Sequence, residues 1–392
     1  HNYQLKFKVK TIVSFKRLDF LTNIENITII KDLYIYTLSG DYFKNKDLPS
    51  LLLTTSGSTG NPKVVKVSNE NLISNTVSIC DYLNIKSDSR HITTLPINYT
   101  YGLSCINTHL YSGAKIILND YSILQSQFWK LFIKTLPTTF AGVPYTYEVL
   151  SRLDLKKLPF DSITVFTQAG GKLKNNLLKK YYEYCKNRNK EFIVMYGQTE
   201  ATARMSYLPF KYLNTKLGSI GKAIPGGEFK LINTDRYKKV NEHIVGELIY
   251  KGDNVTPGYS DSYLNIEVDK NSSKILNTGD LAYIDKDDFI FISGRKKRFA
   301  KINGIRYSLE DIQEISDEIA TTAVSSDDKL IYIYFESNNN QVKDISSQIK
   351  KYIQSKIKIS PASLKVVTIN KIPRSESGKI LYSELLDKNV SK

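Results

Sequence analysis

The sequence predicts an α/β protein, with helices layered on β-sheets, and two observations carry that expectation. Short apolar runs of strand length alternate with amphipathic helical stretches through the middle of the chain. With 392 residues, 41% of them apolar and 24% charged, the chain also has the length and composition for two or three domains with real cores.

Residues 1–50 alternate apolar runs (Ile12-Val13, Ile27 to Ile30, Leu33 to Tyr36) with polar breaks and read as small strands and a helix. Leu51-Leu52-Leu53 reads as a buried strand. After it come Thr54, Thr55, Ser56, Gly57, Ser58, Thr59 and Gly60, then Asn61-Pro62 as a turn and Lys63. Glycine lets a backbone lie close to a ligand, and hydroxyls beside free N–H groups suit phosphate oxygens. On composition alone the stretch is either a mobile polar loop or a phosphate grip. A Walker-type P-loop needs Gly-Lys-Ser/Thr opening a helix, whereas here Val64 to Val67 reads as a strand.

Further along, Ser68 to Tyr82 reads as a helix with Ser68 as N-cap. Gly113 to Leu118 reads as a buried strand and Ser126 to Leu136 as an amphipathic helix carrying Trp129. Leu173 to Lys190 reads as a helix, with seven basic residues between Lys172 and Lys190 against Glu183 alone. A solvated face is the default for such a run, and it is also the first place to look for an acidic partner. Phe192 to Met195 and Phe289 to Ile292 read as strands, and Ser308 to Asp311 as a capping box.

Composition narrows the function. The net charge of +16 is by default a solvated basic surface, though such a surface also attracts nucleotide, coenzyme A or an acidic carrier protein. No nucleic-acid-binding module accompanies the charge, so nucleic acid is not an expected partner. Cys80, Cys105 and Cys185 lack CxxC spacing, which fits a reduced, cytoplasmic protein. No run of 18 apolar residues predicts a membrane span. The opening His1-Asn2-Tyr3-Gln4-Leu5-Lys6 lacks a signal core and reads as a processed or engineered start. His1, His91, His109 and His243 form no zinc motif, and neither a GxSxG elbow nor a GxGxxG turn occurs.

The run from Leu51 to Lys63 resembles the phosphate-binding motif of the adenylate-forming superfamily: acyl-CoA synthetases, aryl-CoA ligases, luciferases and the adenylation domains of peptide synthetases. Tyr196-Gly197-Gln198-Thr199-Glu200, Thr278-Gly279-Asp280, Gly294-Arg295 and Ile372 to Lys379 match later motifs of that family in the same order, from Leu51 to Leu385. The resemblance implies a large amino-terminal domain (1–296, with a shortened amino-terminal subdomain) and a small mobile α+β carboxy-terminal domain (297–392) that turns on Lys297. It implies activation of a carboxylic acid by ATP to an acyl-adenylate with release of pyrophosphate, then acyl transfer to coenzyme A or to carrier-protein phosphopantetheine. A non-catalytic nucleotide-binding relative and transfer to an amine stay open as alternatives.

By the same resemblance Thr55 to Gly60 and Lys63 grip the phosphates, Gly170-Gly171 lets main chain approach the purine, and Tyr196 beside Gly197 stacks on adenine. Thr199 contacts the α-phosphate or the substrate carboxylate, and Glu200 holds Mg²⁺, a hard cation that prefers carboxylate oxygen. Asp280 accepts the ribose hydroxyls, since one carboxylate can satisfy two donors, and Arg295 also reaches the ribose. Gly304 lies in the turn presented to the site after domain rotation. Lys379 is the catalytic cation bridging carboxylate and α-phosphate.

Leu95 to Leu103 resembles the segment lining the acyl pocket, and Tyr99, where many relatives carry His, argues against an α-amino acid substrate. Tyr99 and Tyr101 are as readily core residues as pocket lining. Val64 and Val194 stand where relatives have Gly and a polar residue. The turns at Gly218 to Lys222, Gly246 to Ile249 and Thr256 to Tyr259 read as scaffold.

Overall fold

The computed structural model describes residues 10–14, 17–18, 21, 24–30, 33–38, 47–54, 63–237, 239–240, 242–269, 271–296, 298–302, 305–327, 329–337, 342–375, 378–382 and 384–385. Thr55 to Gly60, Lys297 and Gly304 lie outside the described residues.

The α/β expectation holds. A seven-stranded sheet forms the centre, in the spatial order Lys222–Ala223, Ser206–Leu208, Glu191–Tyr196, Val165–Gln168, Thr139–Gly142, Arg90–Ile92 and Lys115–Ile117. The five strands from Glu191–Tyr196 to Lys115–Ile117 run parallel, linked by the helices Thr100–Tyr111, Ser126–Thr135, Pro144–Ser151 and Asn175–Lys186. The chain goes from Arg90–Ile92 outward to Lys115–Ile117, then crosses back to Thr139–Gly142 and builds in the other direction. That reversal is a topological switch point, where open α/β sheets place ligands beyond the carboxyl ends of their strands.

Side chains that alternate along these strands make two cores. Phe140, Phe166, Phe192 and Val194 face one side, where they pack with Phe128, Phe132, Phe160, Tyr147 and Tyr181. Ala141, Ala169, Ile193 and Met195 face the other, against Tyr101 and Cys105 of the helix Thr100–Tyr111. The small residues on that second face let the helix lie close to the sheet.

Leu51–Thr54 and Val64–Val67 pair antiparallel on either side of the 55–62 stretch, in the strand–loop–strand order expected. Ser68 caps the helix Asn69–Leu83 in a capping box with Asn71. Ile275–Ile284 and Ile290–Arg295 pair antiparallel in a four-stranded sheet, with Asp280 directly opposite Arg295. A smaller core of Ile302, Ile312, Val324, Ile333, Phe335, Ile349 and Ile353 joins the three-stranded sheet of residues 322–369 to the helices Leu309–Ser316 and Val342–Lys356. Among the described residues no helix is long and apolar enough to cross a membrane.

Four expectations are corrected. Residues 113–118 are not a buried strand. Lys115–Ile117 is an edge strand paired only with Arg90–Ile92, and Leu118 is 77% exposed because nothing covers that edge among the described residues. The expected helix Leu173 to Lys190 runs only over Asn175–Lys186, because Lys174 at the N-cap has an extended ψ of 140° and Asn189 takes a left-handed φ of 50°. Gly246 to Ile249 lies inside the strand Val245–Lys251 rather than in a turn. No helix occurs in the described part of residues 1–50, which pairs as the strands Thr11–Ser14, Ile24–Ile30 and Leu33–Leu38.

Candidate active site

The parallel strands end at one cleft. Glu191–Tyr196 delivers Tyr196, and Gly197 then lets the chain fold back so tightly that a Cβ there would sit 1.6 Å from the Ala203 carbonyl oxygen. Only glycine fits. The turn carries Gln198 and opens the short 3₁₀ helix Thr199–Ala201. Two residues past Val165–Gln168 comes Gly170, whose φ of 86° is a glycine conformation and whose missing side chain makes room for the Tyr99 hydroxyl.

Asp280 reaches this cleft from the neighbouring sheet. It is 2% exposed, and its Oδ2 accepts from the Tyr196 hydroxyl at 2.5 Å and from Gln198 Nε2 at 3.1 Å. Its Oδ1 pairs with Arg295 Nε at 3.0 Å. Gln198 Nε2 also donates to the Thr278 carbonyl at 2.9 Å, which ties the turn after Glu191–Tyr196 to the strand Ile275–Ile284. Burial, and then the adjoining Asp280 carboxylate, drive the Tyr196 phenol well above its ordinary pKa, so it stays a donor at neutral pH. The Asp280 carboxylate in turn raises that of Arg295.

Glu200 lies across the cleft, with Oε1 accepting from the Tyr259 hydroxyl at 2.7 Å. Burial first, then this bond to a carboxylate, raise the Tyr259 pKa. Lys63, at the end of the 55–62 stretch, places its Nζ 4.8 Å from the centre of the Tyr259 ring. Thr199 Oγ1 shares a hydrogen bond with Thr100 Oγ1 at 3.1 Å.

Lys379 comes from the carboxy-terminal part. It sits on a turn closed by the Arg374–Ile380 bridge and by hydrogen bonds from Ser375 N to Lys379 O and from Gly378 N to Ser375 O, both 2.8 Å. Its Nζ stands 5.4 Å from the centre of the Tyr99 ring. Burial, then the Arg295 charge, depress its pKa, while Glu200 pulls the other way. Lys379 therefore feels Arg295 and Glu200 at once, although the three are far apart in sequence.

Of the site residues expected from sequence, the structure brings together Lys63, Gly170, Gly171, Tyr196, Gly197, Thr199, Glu200, Asp280, Arg295 and Lys379. Val194 points away, into the phenylalanine-rich core. Among the described residues no group of three or more His, Cys, Asp or Glu could hold a metal ion by itself. Sequence reasoning missed Gln198, Thr100 and Tyr259, whose roles come from partners distant in the chain. The sequence reading also passed over Arg204, the one charged residue in Ala201 to Met205.

The basic run changes its meaning in one place. Lys172 Nζ bonds both Glu314 oxygens at 2.8 Å, Lys174 lies 3.8 Å from Asp317, and Lys190 is buried and donates to the Asp161 and Ile163 carbonyls. Lys190 is thus an internal contact, whereas Lys172 and Glu314 form a solvent-exposed pair and Lys179, Lys180 and Lys186 are exposed, so most of the run keeps its solvated face.

A family model described as AMP-binding enzyme matches residues 15–260. The 4-coumarate–CoA ligase-like 2 of Arabidopsis thaliana is 26% identical over 367 residues, covering 89% of this chain and 63% of that protein. The chain spans under two thirds of the length of such curated plant relatives, which it covers to 63–65%. Among solved structures, the O-succinylbenzoate coenzyme A synthetase MenE from Bacillus subtilis, in complex with ATP and magnesium ion, has a TM-score of 0.68 at 22% identity, covering 90% of this chain and 73% of that one. McyG A-PCP complexed with phenylalanyl-adenylate has a TM-score of 0.69 at 22% identity, covering 93% of this chain and 60% of that one. These structural likenesses show a shared fold.

Proposed function

The chain belongs to the AMP-binding enzyme family, and from that premise we propose that it activates a carboxylic acid with ATP and passes the acyl group to a thiol. In the first step a carboxylate oxygen attacks the α-phosphorus, the bond to the bridging β-phosphate oxygen breaks, and pyrophosphate leaves. In the second the thiol sulfur attacks the acyl carbon, AMP leaves, and the thiol proton passes to solvent.

The observation that supports this reading is the convergence of Tyr196, Glu200, Asp280, Arg295 and Lys379 on one cleft at the carboxyl ends of parallel strands. Tyr196 offers adenine a flat face held in place through its hydroxyl. Asp280 and Arg295 address the ribose, and the 55–60 stretch with Lys63 addresses the phosphates. Thr199 and Lys379 address the α-phosphate, where negative charge grows as pyrophosphate departs.

Glu200 fits a magnesium ion: Oε1 is turned to Tyr259, and among the described residues Oε2 accepts no hydrogen bond. One free carboxylate oxygen completed by phosphates and water is a ligand set that magnesium takes; when bound, the ion offsets phosphate charge. In this reading residues 1–296 form the core and 297–392 a lid turning on Lys297, with the Gly304 turn serving the thiol step. Both coenzyme A and a carrier phosphopantetheine suit a basic protein. Lys179 and Lys186 support the carrier, and a cytoplasmic setting fits either.

Pyrophosphate release measured across short, long-chain, aryl and hydroxy acids tests the proposal. At least one acid is expected to accelerate it, and separate incubations of that acyl-adenylate with coenzyme A and with a holo-carrier then identify the acceptor. ATP binding with no acid-dependent release across the whole panel would make the chain a nucleotide-binding relative without catalysis.

A further inference from the structure

Arg204 lies four residues past Glu200 and is 2% exposed. Its backbone is clamped on both sides: the N–H donates to Asn75 Oδ1 at 3.3 Å, and the carbonyl accepts from the Asn75 and Asn254 amides at 2.8 Å each. Its guanidinium carbon stands 3.8 Å from the centre of the Tyr101 ring, and its Nε donates to Met195 Sδ at 3.3 Å. The Tyr101 ring is itself fixed, because its hydroxyl donates to the Thr167 carbonyl at 2.8 Å.

No carboxylate among the described residues pairs with this buried cation. Its other neighbours are the Tyr82 hydroxyl and the Cys105 thiol. Burial raises both, Cys105 to about 11, so neither supplies an anion at neutral pH. A buried charge left without a counter-ion is costly, and the usual remedy is a partner.

Space for one exists. A cavity of about 50 Å³ lies between the helix Thr100–Tyr111 and the sheet, and Arg204 lines it together with Ser104, Cys105, Thr108, His109 and Thr167. Among the described residues that line it, Arg204 is the only Lys, Arg, Asp or Glu. Its two histidines, His91 and His109, have pKa values lowered by burial, so they stay neutral at pH 7 and do not compete for an anion.

The cavity is also tied to the reacting end of the cleft. Tyr101 meets Tyr99 edge-on with ring centres 6.2 Å apart, and Tyr99 carries Lys379 on its ring. One cation therefore rests on each of two touching rings. On the acid-activation reading Lys379 sits where acid and α-phosphate would meet, and Arg204 lies one ring further from that point.

We propose that the acid is dicarboxylic, with its distal carboxylate paired to Arg204 in this cavity; the proposal rests on the acid-activation reading above. Guanidinium is the side chain best shaped for a carboxylate, binding it through two parallel N–H bonds. Arg204 is then a specificity-determining residue: it selects the acid and leaves the bond-making to the cleft.

The test uses the full chain and matched acid pairs, butanoate with succinate, pentanoate with glutarate, hexanoate with adipate and benzoate with phthalate. The readout is the ratio of kcat/KM for diacid over monoacid in pyrophosphate release, from which a general loss of folded protein cancels. For at least one pair the ratio is expected to exceed about tenfold, and to fall at least tenfold in Arg204→Met, as loss of one partner of a buried charge pair demands. Cys105→Asp keeps Arg204 but supplies a carboxylate from the wall, and it should lower the ratio likewise. Monoacids preferred by the wild type, or a ratio unmoved by both variants, overturns the proposal and leaves acid activation standing. Should no acid release pyrophosphate, acid activation falls, and calorimetric titration of the same diacids decides Arg204 separately. Diacid binding abolished by Arg204→Met upholds the pairing, and binding absent or unchanged refutes it.

Discussion

Replacing Lys379 with Ala separates catalysis from folding. The turn that carries Lys379 is held by its own backbone, through Ser375 N to Lys379 O and Leu381 N to Pro373 O, so truncating the side chain leaves the turn intact. The packing at stake is the approach of Nζ to the Tyr99 ring, and a cation–π contact of this kind is worth about 0.5–1 kcal/mol. The melting temperature should therefore fall by less than about 4 °C. If Lys379 has the proposed role, the loss in rate is expected to be far larger, because a preorganised group facing developing charge contributes about 2.7–4 kcal/mol, or roughly 10²- to 10³-fold in rate.

Acid-dependent exchange of labelled pyrophosphate into ATP measures that loss directly. Exchange within about threefold of wild type would refute the assignment. The pH profile adds a second check. Burial and the Arg295 charge hold the Lys379 pKa below the usual lysine value, so the cation is present at low pH and is lost as pH rises through that lowered value. Exchange should accordingly decline on the alkaline side earlier than an ordinary lysine would dictate. Arg295→Met removes a repelling charge and should move that decline to higher pH; a decline that stays in place would detach it from Lys379.

Asp280→Asn keeps the shape but puts an amide NH₂ against donors, either Tyr196 and Gln198 or Arg295. A hydrogen bond involving a charged group is worth about 1.5–3 kcal/mol, so ATP affinity measured by calorimetry should weaken by roughly 10- to 100-fold. Undiminished affinity would remove Asp280 from the nucleotide site. Gly197→Ala places a methyl 1.6 Å from a backbone oxygen that no rotamer change can move. The cost should exceed about 4 kcal/mol and appear as a collapsed melting temperature, whereas a melt within about 2 °C of wild type would show that the backbone there gives way.

Much of this was legible beforehand because it is local. The strand Glu191–Tyr196 announces itself as an apolar run before Tyr-Gly, and Ser68 announces a helix start because its oxygen must satisfy an amide three residues on. The misread elements failed for non-local reasons. The sequence of residues 113–118 is apolar enough for a buried strand, but burial depends on a neighbour, and the sheet ends there. Lys190 looks like one more surface lysine until the chain reverses at Asn189 and carries it under the Asp161 and Ile163 carbonyls.

By itself the sequence determined the α/β class, the family and the residue types available for chemistry, since periodicity, turn residues and ordered motifs are written within a few positions of one another. Only the tertiary structure decided who meets whom. It set Tyr196 on Asp280 across 84 positions, Lys379 over Tyr99, and Arg204 beneath Tyr101 with no carboxylate partner among the described residues. Such pairings depend on how sheets and helices stack, and a charge buried by a distant helix leaves no mark on its own neighbours in the chain.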